Sequence, residues 1–102
     1  MNVTITARHC EIPQSLRTAT ERRIERLTRY NPRLAEAEVT YDRARVSHEC
    51  EIRLAIVGEP PLVARATGQN FRVALDRGLD RASRQLIRSR QRRIAPRAEA
   101  VP

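Results

Sequence analysis

Apolar side chains alternate with period two in four separate runs of this chain, and only the first two runs are divided by a segment long enough to form a helix. From Asn2 to Ala7, Val3, Ile5 and Ala7 fall on one side and Thr4 and Thr6 on the other. From Glu36 to Arg43 the inward set is Ala37, Val39 and Tyr41. Cys50, Ile52, Leu54 and Ile56 face away from Glu49, Glu51 and Arg53. After the turn composition Gly58-Glu59-Pro60-Pro61, a short run places Leu62, Ala64 and Ala66 inward and stops at Gly68. One-sided alternation marks strands with one face on a core, and such a sheet needs a cover on that face.

Two helix-period segments supply the cover. Pro13, at a position where proline is tolerated, opens the first; Leu16, Thr20, Ile24 and Leu27 share one face, with Ala19 and Tyr30 at its margin. Asn31-Pro32 closes it, giving an expected helix of about 18 residues, roughly 27 Å long. The second runs from residue 70 to about residue 93 on a core stripe of Phe71, Leu75, Leu79, Ala82 and Leu86. The first helix then acts as a right-handed crossover between parallel strands, and the remaining strands follow as antiparallel hairpins. The fold class expected is α+β: a two-layer sandwich of order β-α-β-β-β-α, with a four-stranded mixed sheet and two helices on one face. A chain of 102 residues suffices for one core and not for two. Residues 1–94 are expected to form that domain, and 95–102, with two prolines and little to bury, a disordered tail.

Net charge is +8, which predicts affinity for polyanions. All 20 basic residues are arginine, a side chain that binds phosphate bidentately and stacks on bases. Residues 69–97 hold nine arginines against two acids, whereas residues 1–68 hold eleven against nine. The last third is therefore the expected electrostatic footprint.

Within it, Arg77, Arg81, Arg84, Arg88 and Arg92 are spaced four, three, four and four apart. On a helix they fall within about 80° of one another, nearly opposite the apolar stripe. A surface helix with only a structural role mixes signs, so the row reads as an anion-binding ridge. The plainer alternative is a solvated face in an arginine-biased composition. Arg93 continues the core stripe beyond Leu86 and Ser89, so the helix is expected to outrun its sheet and expose Arg88, Arg90, Arg92 and Arg93 all round. On the first helix Arg22, Arg26 and Arg29 fall within about 60° beside the apolar face, while Arg23 sits nearer the core and is expected to snorkel. Side-by-side packing of the helices would join the two rows into one basic surface. These ten residues, Arg23 apart, are the candidate RNA contacts.

Tyr41 and Phe71 are read as core, which leaves no stacking platform on the sheet; binding is expected to use phosphates and RNA shape. His9 and His48 are far apart in sequence and lack metal-ligand or nucleophile spacing. Glu36/Glu38 and Glu49/Glu51 are strand alternates on the solvent face. With three glycines there is no phosphate-cradling loop motif. No catalysis, metal or cofactor is expected. Cys10 and Cys50 are too few for a secreted disulfide scaffold, and no apolar leader or span is present. The expected setting is the bacterial cytoplasm, with both thiols reduced and no membrane contact.

Thr6-Ala7-Arg8-His9 followed by Ile12, Leu16 and Arg17 resembles a TGRH-x-x-I/V-x-x-x-L-R opening. Arg26-Leu27-Thr28-Arg29-Tyr30 is similar to a basic-Leu-x-basic helix end, His48 to Ile52 to an HKAEV strand, Asn70 to Asp76 to a D-x-Y-x-AID helix start, and Asp80 to Leu86 to DKLERQL. In order and spacing these motifs, from about residue 2 to 93, resemble the ribosome hibernation-promoting factor and ribosome-associated inhibitor family, once called sigma-54 modulation proteins. The resemblance implies a β-α-β-β-β-α domain that binds rRNA of the small ribosomal subunit in the messenger channel across the A and P sites, excluding mRNA and tRNA when growth stops. It implies the short form, monomeric off the ribosome, whose members either assist a separate ribosome modulation factor in pairing ribosomes or keep ribosomes single. Ala7, Asn70, Arg72 and Gly78 depart from the family pattern, Arg72 standing where tyrosine is usual. Gly78 would cost about 1 kcal/mol relative to alanine in a helix. The rival readings are a general structured-RNA-binding protein or RNA chaperone, and a regulator that recruits a protein through its sheet. A small hydrolase of the acylphosphatase kind would need a further strand after the second helix.

Overall fold

In the computed structural model, which describes residues 1–94, the alternating runs form strands β1 (Asn2–Arg8), β2 (Leu34–Arg43), β3 (His48–Ile56) and β4 (Leu62–Gly68). The helical segments are α1 (Gln14–Glu25), continued by a 3-10 turn over Arg26–Arg29, and α2 (Phe71–Ile94). The sheet order is β1-β2-β3-β4, with β1 parallel to β2 and the other pairs antiparallel. The expected architecture is therefore the one observed. The tail expected over 95–102 lies outside the described residues.

Two boundaries differ from expectation. The first helix is α-helical for only 12 residues and tightens into the 3-10 turn before Asn31-Pro32. The residue before a proline, here Asn31, is disfavoured in the helical region, and the segment ends ahead of it in the tighter turn, with Ile24 and Leu27 both buried. Strand β2 begins at Leu34 and not at Glu36. A register shift between Leu34 and Glu36 leaves Ala35 and Glu36 both exposed, which breaks the alternation while Leu34 still packs inward opposite Ile56.

The core lies between the sheet and both helices. Tyr41 is wholly buried, and its hydroxyl is 2.6 Å from Thr20 Oγ1, which also donates to the Leu16 carbonyl at 2.6 Å. The phenol thus meets its one hydrogen-bonding need inside the apolar layer and fixes α1 over β2. Phe71 packs edge-on against the Tyr41 ring at 5.3 Å. Gly78 faces the sheet closely: a Cβ there would lie 3.2 Å from Ile52 Cδ1, a tight contact that the Ile52 side chain would have to yield to, so its absence lets α2 settle close on β3. Gly68 is tighter still, because a Cβ would meet Ala74 N and Val73 Cγ1 at 2.8 Å where β4 turns into α2.

Burial pushes the Cys50 thiol and the Tyr41 phenol up to about 12 each, although the Thr20 hydrogen bond pulls Tyr41 the other way. In the unfolded chain these groups lose their protons near 9.0 and 10.0. Above pH 9 the folded state therefore binds more protons than the unfolded one, and stability falls as pH rises. Urea midpoints should be insensitive to these two groups below pH 9 and decline from pH 9 upward. In Cys50→Ala the decline between pH 9 and 10 should be shallower; identical profiles would remove the buried thiol as a cause.

Candidate nucleic-acid interface

Charge is segregated between the two layers. The helical segments carry thirteen arginines against four carboxylates, a net +9, while the remaining described residues carry six against seven. The sheet needs α1 and α2 only for their inner faces, so their outer faces are free to be basic. The helices pack side by side, but the two arginine rows do not join as expected, because none of Arg77, Arg81, Arg84, Arg88 and Arg92 borders the groove between them. Arg26 and Arg29, from the 3-10 turn that continues α1, and Arg90, from α2, border the groove between the helices. Arg22 is exposed on α1. Arg29 stacks over the Tyr30 ring, 5.2 Å from its centroid, a cation–π arrangement.

The groove is not uniformly basic. Arg23 binds Asp76 across it, so this side chain joins the two helices instead of only snorkelling. Arg84 pairs with Asp80 at 2.6 Å one turn away, with both side chains more than half exposed. Such a pair contributes little to stability and leaves the guanidinium open to an anion.

The five-arginine row divides into two parts, because its axis leans toward the β4 edge and not squarely away from the core. Arg77 Nη1 donates to the Thr67 carbonyl at 2.9 Å, Arg81 Nη1 to the Arg65 carbonyl, and Gln85 Nε2 to the Val63 carbonyl at 3.2 Å. Four residues of helix advance about 6 Å and two residues of strand about 6.8 Å, so every fourth α2 side chain meets every second β4 carbonyl. The bonds occupy the outer edge of β4, which an unprotected strand would offer to another chain. Arg77 and Arg81 also reach a mixed-charge hollow on the open face of the sheet, with Arg8 and Arg65 set against Glu49 and Glu51. Arg84, Arg88 and Arg92 stay exposed on the helix surface.

Arg93 departs from its expected exposure. Helix α2 does overhang: 24 residues span about 36 Å, against about 24 Å for the seven of β4. The β3–β4 turn nevertheless follows it. Ser89 donates to Glu59 Oε1 at 2.6 Å, and Arg93 pairs with Glu59 Oε2 at 3.1 Å, with both charged side chains 22% exposed. Arg88, Arg90 and Arg92 are the exposed members of the last turns.

Neither histidine joins a catalytic arrangement. His9 adopts a left-handed φ of 57° where β1 ends, and its Nδ1 lies 3.0 Å from Asp42 Oδ1. That hydrogen bond, foremost, holds the Asp42 carboxyl below its ordinary range. His48 contacts Arg43 through Nε2 and packs edge-on against Phe71 at 4.7 Å. Cys10 and Cys50 are free thiols. Among the described residues no three His, Cys, Asp or Glu side chains gather as a metal site, and no helix is long and apolar enough to cross a membrane. Sequence reasoning missed the part played by Gln85, whose spacing to Arg81 and Arg77 is regular but whose partners lie on another element. It also missed Tyr30 and Ile87, which meet only across the groove.

Residues 3–94 match the sequence model of the family described as sigma 54 modulation protein / S30EA ribosomal protein. A ribosome hibernation promoting factor of Azotobacter vinelandii is 28% identical over 94 residues, covering 92% of this chain and 87% of that protein. Among solved structures, the N-terminal domain of Protein Y from Thermus thermophilus superimposes with a TM-score of 0.77 at 27% identity, over 86% of this chain and 98% of that one. A ribosomal subunit interface protein from Coxiella burnetii reaches 0.82 at 16% identity, over 88% of this chain and 98% of that one, a likeness of fold.

The divided row makes a direct test. Arg77→Ala and Arg81→Ala should each lower stability by about 1 kcal/mol, read from urea midpoints, and should raise self-association in sedimentation through the uncovered β4 edge. Arg84→Ala should move stability by only a few tenths of a kcal/mol. Equal effects at all three positions would erase the distinction.

Proposed function

The chain belongs to the sigma 54 modulation protein / S30EA ribosomal protein family, and from that premise we propose that it silences idle ribosomes by binding rRNA of the small subunit in the messenger channel near the A and P sites. The observation that carries this reading is the net +9 of the helical layer set against a slightly acidic remainder. A molecule so polarised approaches a polyanion with its helices first. The sheet's open face then points away from the RNA.

Arg22, Arg26, Arg29, Arg84, Arg88, Arg90 and Arg92 are the proposed phosphate ligands; all are exposed on the helical layer. Arg77, Arg81 and Arg93 belong to a second tier, because each is engaged within the fold. Guanidinium forks recognise phosphate bidentately, and phosphate contacts fix position and orientation without reading sequence. Occupancy itself is the mechanism: a rigid domain held in the channel displaces mRNA and tRNA, and no bond is made or broken. The reading places the protein in the bacterial cytoplasm, on ribosomes.

Binding to purified small subunits should weaken steeply with salt, by about 0.7 to 0.9 log units in affinity per log unit of salt for each phosphate neutralised. Replacing Arg84, Arg88 and Arg92 together by glutamine should weaken binding about a hundredfold and reduce that slope by two to three units. Circular dichroism should be unchanged, and Arg53→Gln on the open face should bind as the parent does. Parent-like binding of the triple variant would overturn the proposal. Equal competition by an unrelated RNA duplex would favour a general RNA-binding protein.

A further inference from the structure

Where the end of α1 meets the overhanging part of α2, the basic surface is interrupted by an apolar patch. Ile87 is 37% exposed, and the half-buried Tyr30 ring forms the opposite wall of a cavity of about 250 Å³. Arg29 and Arg90 stand at its rim, one from each helical segment, and Gln91 adds an amide that can both donate and accept. The sheet does not require Ile87, which lies outside the buried core. An isoleucine and a tyrosine kept between arginines on a surface rich in charge therefore call for an occupant that is apolar in its faces and anionic in its flanks.

RNA has that chemistry. Unstacked bases are held on aromatic rings or on arginine guanidinium planes, with their edges hydrogen-bonded. The cavity is smaller than the 300–1,000 Å³ usual for small-molecule sites, and suits one planar ring. Arg29 already lies over the Tyr30 ring, so a base can extend that stack while Arg29 and Arg90 meet the phosphates on either side. In the adjoining stretch of groove Asp76 and Asp80 are paired with Arg23 and Arg84, which leaves those two guanidinium groups less free for phosphate than Arg29 and Arg90 at the rim.

We infer that Tyr30 and Ile87 form a subsite for a single unstacked nucleobase of single-stranded RNA, flanked by phosphate contacts from Arg29 and Arg90. The inference rests on the reading that the helical layer binds RNA, and it adds a base contact to a surface otherwise limited to phosphates.

The probe is a short single-stranded RNA carrying 2-aminopurine at one position, beside the same RNA with an abasic site there. The parent should quench the 2-aminopurine and bind the abasic RNA about tenfold more weakly, since one base–aromatic stack is worth about that factor. Tyr30→Leu should bind the base-bearing RNA about tenfold more weakly, with an unchanged salt slope, and should not distinguish it from the abasic RNA. Ile87→Ala, at an exposed position that does not threaten folding, should move affinity the same way and decides the matter if Tyr30→Leu is unstable. Unchanged fluorescence with the parent, or parent-like binding by Ile87→Ala, would overturn the subsite. If those variants bind small subunits as the parent does while the Arg84, Arg88 and Arg92 variant does not, the subsite fails and the ribosomal reading stands. If the arginine variant also binds normally, the ribosomal reading itself fails.

Discussion

A four-stranded sheet with one apolar face has to keep that face from water, and the placement of every other element follows from it. Val39, Ile52, Leu54 and Tyr41 are essentially inaccessible only because α1 and α2 lie over them. Burial at about 25 cal/mol per Å² of apolar area dominates the stability of such a layer. The contact is also shaped. Gly78 lets α2 approach β3, and the Thr20–Tyr41 hydrogen bond lets α1 cover a phenol without leaving it unsatisfied.

Because the sheet uses only the inner faces of the helices, the outer faces carry charge at little cost to packing. The result is a molecule with two unlike sides, a basic helical layer and a mixed, slightly acidic sheet. Arginine does three jobs on that layer. Arg77 and Arg81 close the β4 edge, Arg23 and Arg93 tie elements together, and the exposed remainder is available to an anion. Guanidinium suits all three because its five donors can reach a backbone carbonyl singly and meet a carboxylate or phosphate as a planar fork.

The architecture was legible in the sequence because period two and period 3.6 are local properties. Val3, Ile5 and Ala7, or Leu75, Leu79 and Leu86, announce their element without knowledge of what they touch. The one helix between β1 and β2 fixed the parallel pair and hence the order of the sheet. The motifs from Thr6 to Leu86 pointed to the family that the match over residues 3–94 shows. The two misplaced boundaries share a cause, since a 3-10 turn and a register shift each interrupt a period without ending the element.

By itself, then, the sequence determined the order of elements, the apolar faces and the concentration of arginine on the helices. Only the tertiary structure decided which arginines remain free. Arg77, Arg81, Arg84, Arg88 and Arg92 are equivalent on a helical wheel, yet the first two find carbonyls on β4 and the other three do not. Arg93 looked exposed until Glu59, 34 positions away, was brought beneath it. Tyr30 and Ile87 became neighbours in the same way. A side chain's partners lie across the fold, and their distance in sequence carries no record of their distance in space.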